Sequence, residues 1–161
     1  MKIAESTALI RFPDCDPFNH LNNARYIDYF INAREDHLKE YFDFDIYSYG
    51  AKTGKSWVVG KNQIAYFAPA NLMEKVIIQS LLLELNKSDV LVEMRMWDEN
   101  KTKLKAFLWT QFIHCDLLTG KRIDHDDALA GTFAHQESRL TGKITFEQRL
   151  QDVKGKTYAE L

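Results

Sequence analysis

Asp14-Cys15-Asp16-Pro17-Phe18-Asn19-His20-Leu21-Asn22-Asn23-Ala24-Arg25-Tyr26 runs directly into Ile27-Asp28-Tyr29-Phe30-Ile31-Asn32-Ala33-Arg34-Glu35-Asp36-His37-Leu38-Lys39-Glu40-Tyr41. In the second part, polar Arg25, Asp28, Asn32, Asp36 and Lys39 recur at helical spacing. Tyr26, Ile27, Tyr29, Phe30, Ala33, His37, Leu38 and Tyr41 fill most of the remaining circumference. The spacing predicts a helix with a wide buried face over residues 23–41, with Asn22 or Asn23 supplying the cap oxygen. Such a helix is roughly 30 Å long at about 1.5 Å per residue.

Working outward, Thr7 to Phe12 is short and apolar enough for a strand, and Pro13, Asp14, Asp16 and Pro17 then stop any regular element. Downstream the period changes from helical to two. Trp57, Val59, Lys61, Gln63, Ala65 and Phe67 alternate with their neighbours until Pro69 ends the run. Val76–Leu85, Val90–Trp97 and Leu104–His114 follow, separated by turn-rich Asn86–Asp89 and Asp98–Lys101. One strand, one long helix and four strands without alternating βαβ units predict an α+β fold, an antiparallel sheet wrapped against one helix. The tail carries a turn at Thr119-Gly120, a charged loop at Asp124–Asp127 and a short helix at Phe146–Val153. It is read as residues 119–161, a C-terminal extension of a single domain spanning 1–161.

Composition excludes several classes. With 10 Phe, 7 Tyr and 3 Trp against 7 Gly and 3 Pro, the 161 residues can bury a core without a disulfide or zinc staple. A net charge of -2 gives no sequence-independent grip on nucleic acid, and the Lys101, Lys103, Lys105 set alternates as the solvent face of a hairpin would. Cys15 and Cys115 lack CxxC or His/Cys ligand spacing and read as free thiols of a reducing compartment. Neither a secretory leader nor a run of about 20 apolar residues is present, so a cytoplasmic protein without a membrane partner is expected.

The chemistry concentrates just before the helix. The first N–H groups of a helix lack internal partners and carry the positive end of its dipole, so an oxygen gaining negative charge there is stabilised. Pro17 biases Asp16 towards extended geometry, which lets its carboxylate project from the loop. An acid beside an oxyanion site suggests acyl transfer to water. The other reading of the same residues is structural: Asp14 and Asp16 make turn hydrogen bonds, His20 packs under the loop, and Asn22-Asn23 cap the helix.

The segments Arg11-Phe12, Asp14-Cys15-Asp16-Pro17, His20-Leu21-Asn22-Asn23, Tyr26, Tyr29-Phe30 and Ala33-Arg34 resemble, in order, the signature of the hotdog-fold acyl-CoA thioesterases. This superfamily contains 4-hydroxybenzoyl-CoA thioesterase and the plant acyl-carrier-protein thioesterases. Trp57 to Pro69 is similar to the strand that follows the family's helix, and the resemblance covers roughly residues 6 to 115. It implies a hotdog fold in which a curved antiparallel sheet wraps the helix, with two subunits pairing as a homodimer, or a dimer of dimers, and active sites at their interface. It further implies Asp16 as nucleophile or general base, the backbone N–H near Asn23 as polariser of the thioester carbonyl, and His20 beside them. Asn19, Asn22, Tyr26, Val59 and Lys61 are then expected to contact substrate. Two departures stand out: Asn19 replaces a frequent glycine, so its Cβ would narrow the space over the acyl group, and Ile31-Asn32 carries no glutamate.

Direct attack by Asp16 would give an acyl-aspartyl anhydride, whereas base catalysis would activate water. In extended backbone, Asp14 would lean to the same side as Asp16. Lys61 is the expected partner of coenzyme A phosphates, ahead of Arg95, Lys103 and Lys105; an acyl-carrier-protein substrate would require a basic docking face. No cofactor is expected beyond the coenzyme A of the substrate. His114-Cys115-Asp116 and Asp124–Asp127 lack metal-ligand spacing, so no metal is expected. Beside acyl-CoA hydrolysis stand a noncatalytic acyl-CoA-binding or sensing module, and a hydratase, for which His37 with Asp36 would be the groups.

Overall fold

A computed structural model describes residues 3–136 and 142–158; residues 1–2, 137–141 and 159–161 of the expected domain and its extension lie outside the described residues. The elements are β1 (Ala4–Leu9), α1 (Tyr26–Phe42), α2 (Ile46–Thr53), β2 (Lys55–Tyr66), β3 (Lys75–Leu85), β4 (Asp89–Asp98), β5 (Leu104–Asp116), α3 (Asp127–Ala134) and α4 (Phe146–Val153). The strands form one antiparallel sheet in the order β1-β3-β4-β5-β2, and β3-β4-β5 is the expected meander.

One face of the sheet holds α1. Tyr26, Phe30, Ala33 and Leu38 of the helix pack on Val76, Ile78 and Leu82 of β3, Val92, Met94 and Met96 of β4, and Leu108 of β5. The opposite face is covered as well. Ile77, Trp97, Phe107 and Trp109 of the sheet pack with Phe146 and Val153 of α4. This second cover explains why β4 is buried at nearly every position rather than at alternate ones.

Of the lysine set, Lys103 is exposed as expected, whereas Lys105 is not. Lys105 is buried, its Nζ 2.7 Å from the Glu74 carboxylate and 2.9 Å from Pro69 O, and Lys101 is bonded to Glu5 at 2.7 Å. Arg95 is equally unable to meet a phosphate. It lies buried beside Glu93, whose carboxylate also receives Arg149 Nε of α4 at 2.9 Å and Trp109 Nε1 at 3.0 Å. Burial alone would raise the Glu93 pKa, but the bonds from Arg149 and the charge of Arg95 outweigh it and hold the acid below its ordinary value.

Local chemistry shifts two expected boundaries. The first strand ends at Leu9 because Phe12-Pro13-Asp14 forms a single 3-10 turn, with Asp14 N–H donating to Arg11 O at 3.1 Å. Asn23–Arg25 is another such turn, capped by Asn22 Oδ1 accepting from Ala24 N–H at 3.0 Å, and α1 proper begins at Tyr26. Asp43 in the left-handed region (φ 51°) ends it. The short helix α2 was not foreseen; Asp45 caps it and Gly54 (φ 68°) stops it. In β2, Gly60 sits at a register shift between Val59 and Lys61, where a Cβ would lie 2.3 Å from Ile113 Cδ1.

Two polar side chains on the buried face of α1 are handled by serines. Arg34 Nη1 donates to Ser80 Oγ at 3.2 Å, and His37 stands between Ser80 Oγ at 2.7 Å and Ser6 Oγ at 3.0 Å. Arg34 can only donate, so Ser80 Oγ accepts from it, and both His37 ring nitrogens are engaged by serine hydroxyls. Burial, reinforced by the Arg34 charge, pushes the His37 pKa down to about 4.

Two outcomes follow for stability. Glu93→Gln leaves two buried guanidiniums without a carboxylate and should cost about 3–5 kcal/mol, read as a lower denaturant midpoint. For His37 the unfolded chain, with a pKa near 6.5, takes up a proton before the folded one at about 4, so stability is lost as pH falls through that window. The loss amounts to about 3 kcal/mol by pH 4 and should be absent from the stability profile of His37→Gln; parallel wild-type and mutant profiles would contradict it.

Candidate active site

The loop from Asp14 to Asn23 is fastened to the turn before β3. Leu21 N–H donates to Ala70 O at 2.8 Å, Leu72 N–H to Asn19 O at 2.8 Å, and Ala70 N–H to the Tyr26 hydroxyl at 3.0 Å. Within this frame Asp16 Oδ1 accepts from Phe18 N–H at 2.8 Å and His20 N–H at 3.1 Å. One carboxylate oxygen thus fixes the loop, and Oδ2 accepts from no donor among the described residues.

Asp16 lines a cleft of about 320 Å³ together with His20, Leu21, Asn23, Tyr26 and Tyr66. The structure therefore brings Asp16, His20, Asn23 and Tyr26 to one place. At the helix start, Asn22 N–H is taken by Asp14 O, Ala24 N–H by Asn22 Oδ1 and Arg25 N–H by Asn22 O. The Asn23 N–H between them has no acceptor among the described residues, as an oxyanion donor requires. The His20 ring nitrogens likewise have no hydrogen-bond partner among the described residues. Burial raises the Tyr26 pKa, so its phenol stays protonated at neutral pH.

Asn19, Asn22, Val59 and Lys61 stand apart from this cleft. Asn19 adopts φ 60°, a left-handed conformation that asparagine tolerates better than most residues and that glycine adopts freely. Its exposed side chain is absent from the cleft lining, so its Cβ does not narrow that space. Asn22 spends its side chain on the cap. Val59 and Lys61 are exposed on β2, the sheet's edge strand; Val59 borders a different, apolar cavity under α1.

Asp14 and Asp16 do not lean together. The 3-10 turn at Phe12–Asp14 replaces the extended geometry, and Asp14 Oδ2 accepts from the Tyr29 hydroxyl at 2.7 Å on the other side of the loop. Cys15 donates its thiol to Arg11 O at 3.3 Å, and burial, followed by the charges of Asp14 and Asp16, raises its pKa. A catalytic thiolate is thereby disfavoured. His37 is enclosed beneath the helix, far in kind from a hydratase base, and no group of three His, Cys, Asp or Glu among the described residues could hold a metal. No helix among the described residues is long and apolar enough to cross a membrane.

Tyr66, the last residue of β2, also bears on this site. Its hydroxyl donates to Asn23 O at 2.8 Å, and its ring meets Tyr26 edge-on at 5.1 Å. It pins from β2 the residue whose N–H is the free donor.

The model of the thioesterase-like superfamily matches residues 10–133, a span that includes the Asp16 loop, α1 and the meander. The long-chain acyl-CoA thioesterase FadM of Escherichia coli (strain K12) is 29% identical over 108 residues, which are 67% of this chain and 80% of FadM. YbaW, a probable thioesterase from Escherichia coli, superposes with a TM-score of 0.71 at 24% identity, over 84% of this chain and 99% of its own. The DHNA-CoA thioesterase from Staphylococcus aureus gives 0.77 at 16% identity, over 94% and 95%. The sheet and helix are those of the hotdog fold. This chain belongs to the thioesterase-like superfamily.

Tyr66→Phe removes the clamp on Asn23 while keeping the ring. It should lower kcat by about 3- to 10-fold, the value of one hydrogen bond, with KM and thermal midpoint nearly unchanged. An unchanged kcat would show that Asn23 holds its position without it.

Proposed function

We propose that the chain hydrolyses acyl-CoA thioesters to the free acid and coenzyme A, with Asp16 as nucleophile or general base. The observation that carries this reading is the meeting, in one cleft, of the Asp16 carboxylate and the unpaired Asn23 N–H. The thioesterase names of FadM and of the Staphylococcus aureus relative support the substrate class.

The thioester carbonyl oxygen sits at the Asn23 N–H, where the charge that develops on it is stabilised. Asp16 either adds to the carbonyl carbon, expelling the thiolate and leaving an anhydride for water to open, or takes a proton from water as that water adds. Both routes place the same charge on the same oxygen. In the base route His20, whose ring nitrogens have no partner among the described residues, relays to the departing thiolate the proton that Asp16 took from water; in the anhydride route solvent protonates the thiolate, and the water that opens the anhydride gives up its proton as the Asp16 carboxylate is restored. Asn22 supports the reaction by capping the donor turn, and Tyr26 forms the wall. The reaction needs no cofactor or metal beyond the coenzyme A of its substrate.

The open edge of β2 supports pairing with a second copy, since Val58 and Val59 are 48% and 44% exposed there. Such a homodimer continues the sheet. A dimer of dimers would have to use a surface other than the outer face of β3, β4 and β5, which α4 covers. Lys61, exposed and without an ion-pair partner among the described residues, is the cation on that edge for the phosphates of coenzyme A. The binding-only alternative loses its motive, because Asn19 preserves the loop conformation.

Thiol release from short, medium, long and aromatic acyl-CoAs tests the proposal. Asp16→Asn should lower kcat by about 100-fold or more while the protein stays folded. Release unaffected by the substitution would move the chemistry away from Asp16, and no release from any acyl-CoA would sink the reading.

A further inference from the structure

The second half of α1 roofs a cavity of about 130 Å³, floored by Leu82, Val92 and Phe112 and closed by Phe133. For scale, an apolar cavity of about 150 Å³ holds a benzene, so the space takes about six non-hydrogen atoms. Its lining is apolar apart from Arg34 and Glu35. Glu35 belongs to the rim, where it accepts from the hydroxyl of exposed Tyr47 at 2.8 Å. Arg34 is 5% exposed and belongs to the depth.

That guanidinium lacks an acid. Ser80 Oγ and Gln136 Oε1 accept from Nη1 and Nη2 at 3.2 and 3.4 Å, and no carboxylate pairs with Arg34 among the described residues. A guanidinium carries five N–H donors. Ser80 Oγ is shared with His37 Nδ1, Gln136 Oε1 is the other side-chain acceptor that meets Arg34 among the described residues, and Gln136 Nε2 is itself buried without an acceptor. Donors therefore outnumber acceptors at this end of the cavity. The contrast lies in the same molecule: buried Arg95 and largely buried Arg149 both reach the Glu93 carboxylate. Burial lowers the Arg34 pKa to about 10, which leaves it charged at neutral pH.

We propose that this cavity takes the far end of the substrate's acyl group, and that Arg34 binds a carboxylate carried there. The preferred substrates are then acyl-CoAs with a terminal carboxylate, a group whose two oxygens match the planar fork of a guanidinium. The inference rests on the acyl-CoA thioesterase reading and on the pairing of two β2 edges. Trp57 and Val59, on the cavity wall, lie in the first half of that strand, and Tyr66, on the Asp16 cleft, ends it. When two copies of β2 pair antiparallel about the middle, the Lys55 end of one lies beside the Tyr66 end of the other. The cavity of one subunit is thereby brought to the cleft of its partner.

The test is kcat/KM on a ladder of dicarboxylic mono-CoA thioesters, glutaryl, adipoyl, suberoyl and sebacoyl, each against the straight-chain acyl-CoA of equal length. The wild type should prefer the carboxylated member by about tenfold or more at one length, since a buried donor left unpaired penalises the analogue lacking its partner. Arg34→Met should erase that preference through KM. Straight chains preferred at every length by the wild type would overturn the Arg34 assignment and leave the thioesterase standing; the wild-type ratios decide even where the variant fails to fold. Absence of turnover on every thioester would sink the thioesterase reading and this inference with it.

Discussion

The burial of α1 against the sheet is the constraint from which the site follows. A helix of 17 residues with Tyr26, Phe30, Ala33 and Leu38 on its inner side must place that side on the apolar face of β3, β4 and β5. Once it does, its amino-terminal turn comes to rest beside Ala68–Ala70, and the Asp14–Asn23 loop has a surface to be fastened on. The Tyr26 hydroxyl shows the coupling at one residue: its ring is core, and its oxygen accepts the Ala70 N–H. Core packing and donor placement are thus one arrangement.

The same burial imposes a polar debt on the helix. His37 and Arg34 lie on the inner face, so the sheet must answer them, and Ser80 and Ser6 do. The answer is complete for His37, which needs one donor and one acceptor. It is incomplete for Arg34, and the excess of donors falls where the packing leaves a cavity. On the outer face, by contrast, the Glu93, Arg95 and Arg149 cluster is matched and joins α4 to the sheet. A buried charge that is matched belongs to the fold, whereas one left short of its counter-ion next to empty volume points outward to a ligand.

What the sequence showed, it showed through long periods and local chemistry. Eighteen or so residues of helical spacing made α1 legible, and period-two runs gave four strands with boundaries shifted by only a few residues. The helix at Phe146–Val153 was legible in its length and place, and Thr145 with Gln148 forms the capping box that starts it. The eight-residue α2 escaped because its hold is tertiary: Tyr49 packs on Trp57 and bonds His114, 65 residues away. Lys105 was misread for a related reason. Alternation places a side chain on a face but does not show what covers it, and Lys105 is held by Glu74 and Pro69 O, about thirty residues earlier in the chain.

The candidate site divides along the same line. Asp16, His20 and Asn23 were legible because the loop, the proline and the helix start are contiguous in the chain. Tyr66 was not, because its bond to Asn23 spans 43 residues, and nothing in the alternation of β2 separates a residue that clamps from one that packs. Asp14 fits the reading of a loop-stabilising residue, though not the leaning towards Asp16: one 3-10 turn sends the first aspartate to Tyr29 and leaves the second to the cleft. A single local backbone choice therefore decides whether the loop presents two competing carboxylates or one. The fold takes the arrangement in which Asp14 braces the loop against α1 and Asp16 alone faces the place where a thioester would lie.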